Sequence, residues 1–142
     1  MGGDHDDELD GGDGNDTIAA GKGDDRMVGR SGNDDLSGGK GDDTLRGNGG
    51  QDTLNGGLNS DEMTGGTQAD TFVLTADSAT DTITDFENGI DVIDLDVDFA
   101  TLIFADIAPG EVHITHSGET LIVMDDGLGL LTSSDFDASD FI

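Results

Sequence analysis

Gly11-Gly12-Asp13-Gly14-Asn15-Asp16-Thr17-Ile18-Ala19 is followed without a gap by Ala20-Gly21-Lys22-Gly23-Asp24-Asp25-Arg26-Met27-Val28, and then by Gly29-Arg30-Ser31-Gly32-Asn33-Asp34-Asp35-Leu36-Ser37. The pattern repeats every nine residues, and extended in both directions it runs from Gly2 to Val73 as eight consecutive nonapeptides. The sixth place is always aspartate: Asp7, Asp16, Asp25, Asp34, Asp43, Asp52, Asp61 and Asp70. The eighth place is always apolar: Leu9, Ile18, Met27, Leu36, Leu45, Leu54, Met63 and Phe72. Two invariant columns in eight copies separate this segment from a Gly- and Asp-rich linker.

The columns dictate a local shape. Glycine at places one, two and four permits positive φ and close backbone approach, so the first six residues of each copy form a tight loop with carbonyls turned inward. The next three, such as Thr17-Ile18-Ala19 or Thr44-Leu45-Arg46, are expected as a short strand with its middle side chain inward. Two copies then make one turn of a coil. Leu9, Met27, Leu45 and Met63 stack opposite Ile18, Leu36, Leu54 and Phe72, and eight copies make four turns, ~19 Å along the stacking direction. At each edge, loops n and n+2 lie one above the other, each offering carbonyl oxygens and a carboxylate. An all-oxygen, anionic donor set with room for six to eight ligands suits Ca²⁺ better than Mg²⁺. Pairing eight loops in this way gives about six calcium positions, three per edge.

Composition agrees that a cation is needed. The 142 residues carry 33 acidic and 5 basic side chains, a formal charge of −28, and only 32% are hydrophobic. Such a chain repels nucleic acid and anionic membranes, and it borders on the composition of disorder. Residues 1 to 73 hold 17 of the acidic and all of the basic residues. Six divalent ions would balance that segment's net −12. The absence of Cys removes disulfides and thiolate sites. No apolar run approaches the roughly 18 residues of a membrane span, and the start Met1-Gly2-Gly3-Asp4-His5-Asp6-Asp7 is unlike a signal peptide.

These nonapeptides resemble the GGxGxDxUx repeats of the RTX family. The resemblance continues through Ala69-Asp70-Thr71-Phe72-Val73-Leu74, Asp81 to Phe86 and Gly89 to Leu95, which look like the segment after the last repeat in serralysin-type proteins. It implies a right-handed parallel β-roll, an all-β solenoid, with calcium held by the eight sixth-place aspartates and by loop carbonyls of neighbouring turns. The carbonyls so implicated are those of Gly11, Asp13, Gly29, Ser31, Gly38, Lys40, Gly47 and Gly49. The end Ser139-Asp140-Phe141-Ile142 is similar to the uncleaved export signal of that group. That likeness implies a type I secretion ABC transporter complex as partner and an extracellular destination; a monomer without membrane insertion is expected. The fourth place departs from glycine at His5, Asn59 and Gln68, so the end loops are expected to be the least regular.

Residues 74 to 142, with 16 acidic and no basic residues, form a second unit. Thr82-Ile83-Thr84 with Phe86 and Val92-Ile93-Asp94-Leu95 read as strands, and Val112 to Thr115 with Leu121 to Met124 as a hairpin about Ser117-Gly118. Phe99 to Ile107 reads as either a helical turn or a strand. This unit is expected to form a β-rich C-terminal cap on the roll, because an open end leaves strand groups unpaired and the apolar stack bare. Asp81, Asp85 and Asp91 are candidates for further calcium where they face the last loops, a solvated acidic surface being the alternative.

Catalytic patterns are missing. His113 and His116, three apart on a strand, fall on opposite faces, no HExxH occurs, and the glycine loops lack the Lys-Ser/Thr of a P-loop. The sequence therefore reads as a non-catalytic, calcium-binding module of a longer secreted protein, with 2 to 73 as roll and 74 to 142 as cap and export region. An upstream catalytic domain is expected before Met1. A carbohydrate-binding or adhesive R-module of a polysaccharide-active enzyme is the alternative, disfavoured by the shortage of aromatic platforms and cations.

Overall fold

The computed structural model describes residues 1–75, 77, 79–87, 90–95, 103–108, 111–116 and 119–125, with side chains described up to residue 94. The eight repeats build β1 (Glu8–Asp13), β2 (Thr17–Lys22), β3 (Arg26–Ser31), β4 (Asp35–Lys40), β5 (Thr44–Gly49), β6 (Thr53–Leu58), β7 (Glu62–Thr67) and β8 (Thr71–Leu74). Strands from odd repeats pair in parallel with one another, as do those from even repeats. The register is 18 residues throughout: Leu9 opposes Met27, Met27 opposes Leu45, and Leu36 opposes Leu54.

The strands are twice the expected length. From β1 to β7 each continues from places seven to nine through the first three places of the next repeat, so that Gly21 opposes Gly39 and Lys22 opposes Lys40. Glycine has little intrinsic strand preference. Here the turns above and below supply the partners, and stacking decides the conformation. Only places four to six remain as a bend.

Past the repeats the coil makes a fifth turn. β9 (Thr80–Phe86) joins the odd stack and β10 (Val92–Leu95) the even one, with Ile83 opposite Met63 and Ile93 opposite Phe72. The spacing has grown to 20 and 21 residues. Beyond them β11 (Ile103–Ala108), β12 (Glu111–His116) and β13 (Glu119–Asp125) form an antiparallel meander, with β13 parallel to β9. The odd stack thereby becomes an eight-stranded sheet, and the edge of β9 is paired rather than bare. The segment 99 to 107 is thus a strand from Ile103 onward; Phe99 to Leu102 lie outside the described residues. So do the hairpin turn at Ser117-Gly118 and the chain end from Asp126, which contains the export-like segment. The side chains of Leu95, His113 and His116 are likewise outside them.

The core is one column of side chains between two sheets. Met27, Leu36, Leu45, Leu54, Met63, Phe72, Ile83 and Ile93 have no exposed surface, Phe86 has almost none, and Leu9 at the start is only partly covered. Phe72 and Phe86 meet with ring centroids 6.4 Å apart, linking the last repeat to the fifth turn. No helix of the described residues is long and apolar enough to cross a membrane.

Candidate metal centre

Every sixth-place aspartate precedes a strand and turns its carboxylate inward, and its two oxygens have separate roles. From Asp25 onward, Oδ1 accepts the backbone N–H of the sixth-place residue one turn earlier. On the odd edge Asp25 accepts from Asp7 at 2.7 Å, Asp43 from Asp25 at 2.7 Å and Asp61 from Asp43 at 2.9 Å. On the even edge Asp34, Asp52 and Asp70 accept from Asp16, Asp34 and Asp52, each at 2.8 Å.

Oδ2 is the informative atom. In Asp16, Asp25, Asp34, Asp43, Asp52, Asp61 and Asp70 it is buried without a hydrogen-bond partner. Asp25 to Asp70 as residues are at most 3% exposed. An unsatisfied buried polar group costs about 1–3 kcal/mol, more when charged. Seven equivalent ones in two columns call for a cation.

The glycines locate it. A Cβ at Gly38 would collide with Asp43 Oδ2 and lie 2.5 Å from the Gly56 carbonyl oxygen. At Gly47 it would collide with Asp52 Oδ2 and lie 2.7 Å from Gly65 O; at Gly11 it would lie 2.8 Å from Asp16 Oδ2 and 3.0 Å from Gly29 O. One carboxylate oxygen and the first-place carbonyl of the next turn thus converge beside a first-place glycine, whose missing side chain leaves the volume free. The exception is Ala20, whose methyl occupies this place in the third repeat and is buried. The fourth place adopts positive φ, which Asn59 and Gln68 also adopt at 85°. His5 does not, and the first loop is the irregular one.

Electrostatics point the same way. Burial pushes the Asp43 and Asp91 carboxyls up to about 6 and those of Asp61 and Asp70 up to about 7, and it raises Asp52 as well. The N–H bonds to Oδ1 oppose this, while neighbouring carboxylates reinforce it. A divalent ion reverses both penalties. The donors are hard oxygens, anionic and carbonyl, and they fit calcium. Among the described residues no three His, Cys, Asp or Glu side chains converge, so main-chain carbonyls must supply much of any coordination shell.

The residues singled out from the sequence divide accordingly. Asp7 to Asp70 lie in the two columns, and Gly29 O sits at the Gly11 cradle. Gly11, Gly38 and Gly47 line cradles by lacking a side chain. Ser31, Lys40 and Gly49 carbonyls each accept an N–H from the turn before, from Gly14, Gly23 and Gly32, which leaves one lone pair apiece. Asp13 ends β1 in register with Ser31. Asp81 and Asp91 extend the two columns, accepting from Asp61 at 3.0 Å and Asp70 at 2.9 Å. The second oxygen of Asp91 accepts from Glu87 N–H, and Asp85 accepts from both Gly65 and Gly66 N–H.

Three features escaped the sequence reading. The first-place carbonyls of Ala20, Gly56 and Gly65 stand where that of Gly29 does. Asp77 holds the N–H groups of Asn59 and Ala79. A second ladder runs at place five in the opposite sense: Asp6 accepts from Asp24, Asp24 from Asp42 and Asp42 from Ser60, while Asn15 accepts from Asn33 and Asn33 from Gln51. The alternation of Asp and Asn at that place was its visible signal.

A profile of the RTX calcium-binding nonapeptide repeat, four copies long, matches residues 1–36 and again 37–72. No curated protein matches the chain. Among solved structures it is similar to the AlgE6R3 subunit of the mannuronan C5-epimerase of Azotobacter vinelandii, with a TM-score of 0.60 at 23% identity, covering 100% of this chain and 80% of that one. It is also similar to the extracellular lipase LipA of Serratia marcescens, with a TM-score of 0.53 at 15% identity, covering 100% of this chain but 39% of that one. At these identities the likeness is one of fold.

Proposed function

The chain belongs to the RTX calcium-binding nonapeptide repeat family, and from that premise we propose that it is a non-catalytic module that folds on meeting extracellular calcium. In this reading residues 2 to 73 hold about six ions, and residues 74 to 142 cap the roll and carry the export signal of a type I secreted protein. The observation that carries the reading is the two columns of buried Oδ2 atoms without partners. Bound calcium supplies positive charge between turns. The chain supplies the rest: Oδ1 ties each turn to the last, Oδ2 and a first-place carbonyl face the ion, and the apolar column closes once the turns stack.

Without metal, the same carboxylates repel across each edge, and the chain stays open enough for a narrow ABC transporter. Calcium then stabilises only the folded state, so its free energy of binding becomes free energy of folding. Millimolar extracellular calcium suits the weak class of site. The module works as a monomer that stabilises an upstream domain.

Circular dichroism in chelator, in millimolar Ca²⁺ and in millimolar Mg²⁺ tests this. The expected spectra are mostly disordered, β-rich, and close to the chelator spectrum, respectively. A fully β-rich spectrum in chelator at low salt and pH 8 overturns the proposal.

A further inference from the structure

The repeats present two edges, and they are not chemically alike. The first three odd loops carry aspartate at place five, Asp6, Asp24 and Asp42, and the first three even loops carry Asn15, Asn33 and Gln51, with Ser60 and Ala69 ending the two series. Each fifth place adjoins a sixth-place aspartate. The fifth-place geometry is nearly the same on both edges: Asp24 Oδ1 accepts from Asp42 N–H at 3.0 Å, and Asn33 Oδ1 accepts from Gln51 N–H at 3.0 Å. The molecule thus compares a carboxylate with an amide in one position. The carboxylates are pinned to the backbone of the next turn, so their charge is fixed beside the column of Oδ2 atoms.

The field at the columns follows this difference. Asp24 and Asp42 directly precede Asp25 and Asp43 in the chain, whereas neutral Asn15, Asn33 and Gln51 precede Asp16, Asp34 and Asp52. The odd loops carry Lys22 and Lys40 at place three, both exposed, with Lys22 reaching out to Asp4, while Arg30 of the even edge is paired with Asp10. Counting places one to six, the odd loops sum to −6 and the even loops to −4.

We propose that the two edges of the roll are unequal calcium arrays, the odd-loop edge holding its ions more tightly because Asp24 and Asp42 add fixed negative charge beside them. This rests on the calcium reading above. A carboxylate a few ångströms outside the coordination shell, facing water on one side, strengthens binding of a divalent ion about fivefold. The chain accordingly meets rising calcium with one edge committed first and the other completing the fold.

The test is a mutant cycle on the intact chain. D43N and D34N each remove one interior carboxylate, from the odd and the even edge. The folded-to-unfolded ratio in millimolar calcium chloride, from urea titration, is divided by that in chelator, from osmolyte-induced folding, so that only the calcium contribution is compared, and is normalised to the parent. D43N is expected to lower that ratio about fivefold more than D34N. In a D24N/D42N background, where the amides keep the fifth-place ladder as Asn15 and Asn33 do, the two are expected to cost the same. Raising the salt to screen the fixed charges is expected to narrow the gap as well. Equal costs in the parent, a larger cost for D34N, or a gap that survives D24N/D42N overturns the proposal. If neither variant alters the calcium dependence at all, it is the calcium reading that fails.

Discussion

Replacing Asp43 by Asn changes one oxygen of a buried carboxylate into an amide nitrogen, and its effect is expected to reverse sign with calcium. Oδ1 survives the change, so the bond from Asp25 N–H at 2.7 Å is kept. The new N–H₂ faces the Gly56 carbonyl oxygen across the Gly38 cradle, where it donates a hydrogen bond worth about 1 kcal/mol. In chelator the substitution also removes a charge whose pKa burial has pushed up to about 6, so Asp43→Asn stabilises the metal-free fold by on the order of 1 kcal/mol or more. In calcium at ten times the site's Kd it forfeits about 1.4 kcal/mol of linkage for each ion lost. Asp43→Ala lacks the compensation: it orphans the Asp25 N–H and costs about 1–3 kcal/mol in either condition. The assay is osmolyte-induced folding in chelator against urea unfolding in calcium, both by circular dichroism. If Asp43→Asn destabilises equally in the two media, Oδ2 does not face an ion and the reasoning is refuted.

Raised carboxyl pKa values at Asp43, Asp61, Asp70 and Asp91 mean that the metal-free fold binds more protons than the open chain between about pH 4 and 7. In chelator, β-structure is therefore expected at pH 5 and its loss by pH 8; a chelator spectrum that gains order with rising pH contradicts this. With calcium the dependence weakens, because protons and calcium stabilise the folded state at the same oxygens, and the calcium midpoint for folding at pH 6 should lie below that at pH 8. Asp34→Ala is expected to raise the calcium midpoint more than Asp7→Ala, since Asp34 has a turn on both sides and Asp7 on one; equal shifts in a titration speak against stacking. Ending the chain after Val73 uncovers Phe72, and the lost contact with Phe86 and Ile83 forfeits roughly 1.5–3 kcal/mol per large side chain. That truncation should raise the calcium requirement several-fold, whereas removing Asp137 to Ile142 should leave the midpoint in place and abolish export.

What the sequence made legible was whatever repeats at nine. The apolar column from Leu9 to Phe72, the odd and even stacks and the inward aspartates all follow from one invariant residue every nine positions. Val92 to Leu95 was readable as a strand because its alternation is strong. The length of the strands was not, since Gly38-Gly39-Lys40 has no strand signature of its own and becomes extended only because Gly56-Gly57-Leu58 lies beside it. The fifth turn was hidden for a related reason. Its partners sit 20 and 21 residues on, with extra residues taken up between Leu74 and Thr80 and before Asp91, so the period breaks while the stacking continues. The division of labour between Oδ1 and Oδ2 lies beyond any one-dimensional pattern, because it depends on which N–H the turn below presents.

Calcium-grown crystals examined by anomalous diffraction would test the central claim most directly. The account predicts anomalous peaks in two columns along the edges of the roll, each beside a sixth-place Oδ2 and a first-place carbonyl of the next turn, such as Asp43 with Gly56 and Asp52 with Gly65. Peaks confined to exposed carboxylates such as Asp35 or Glu62, with the Oδ2 columns empty, would contradict it.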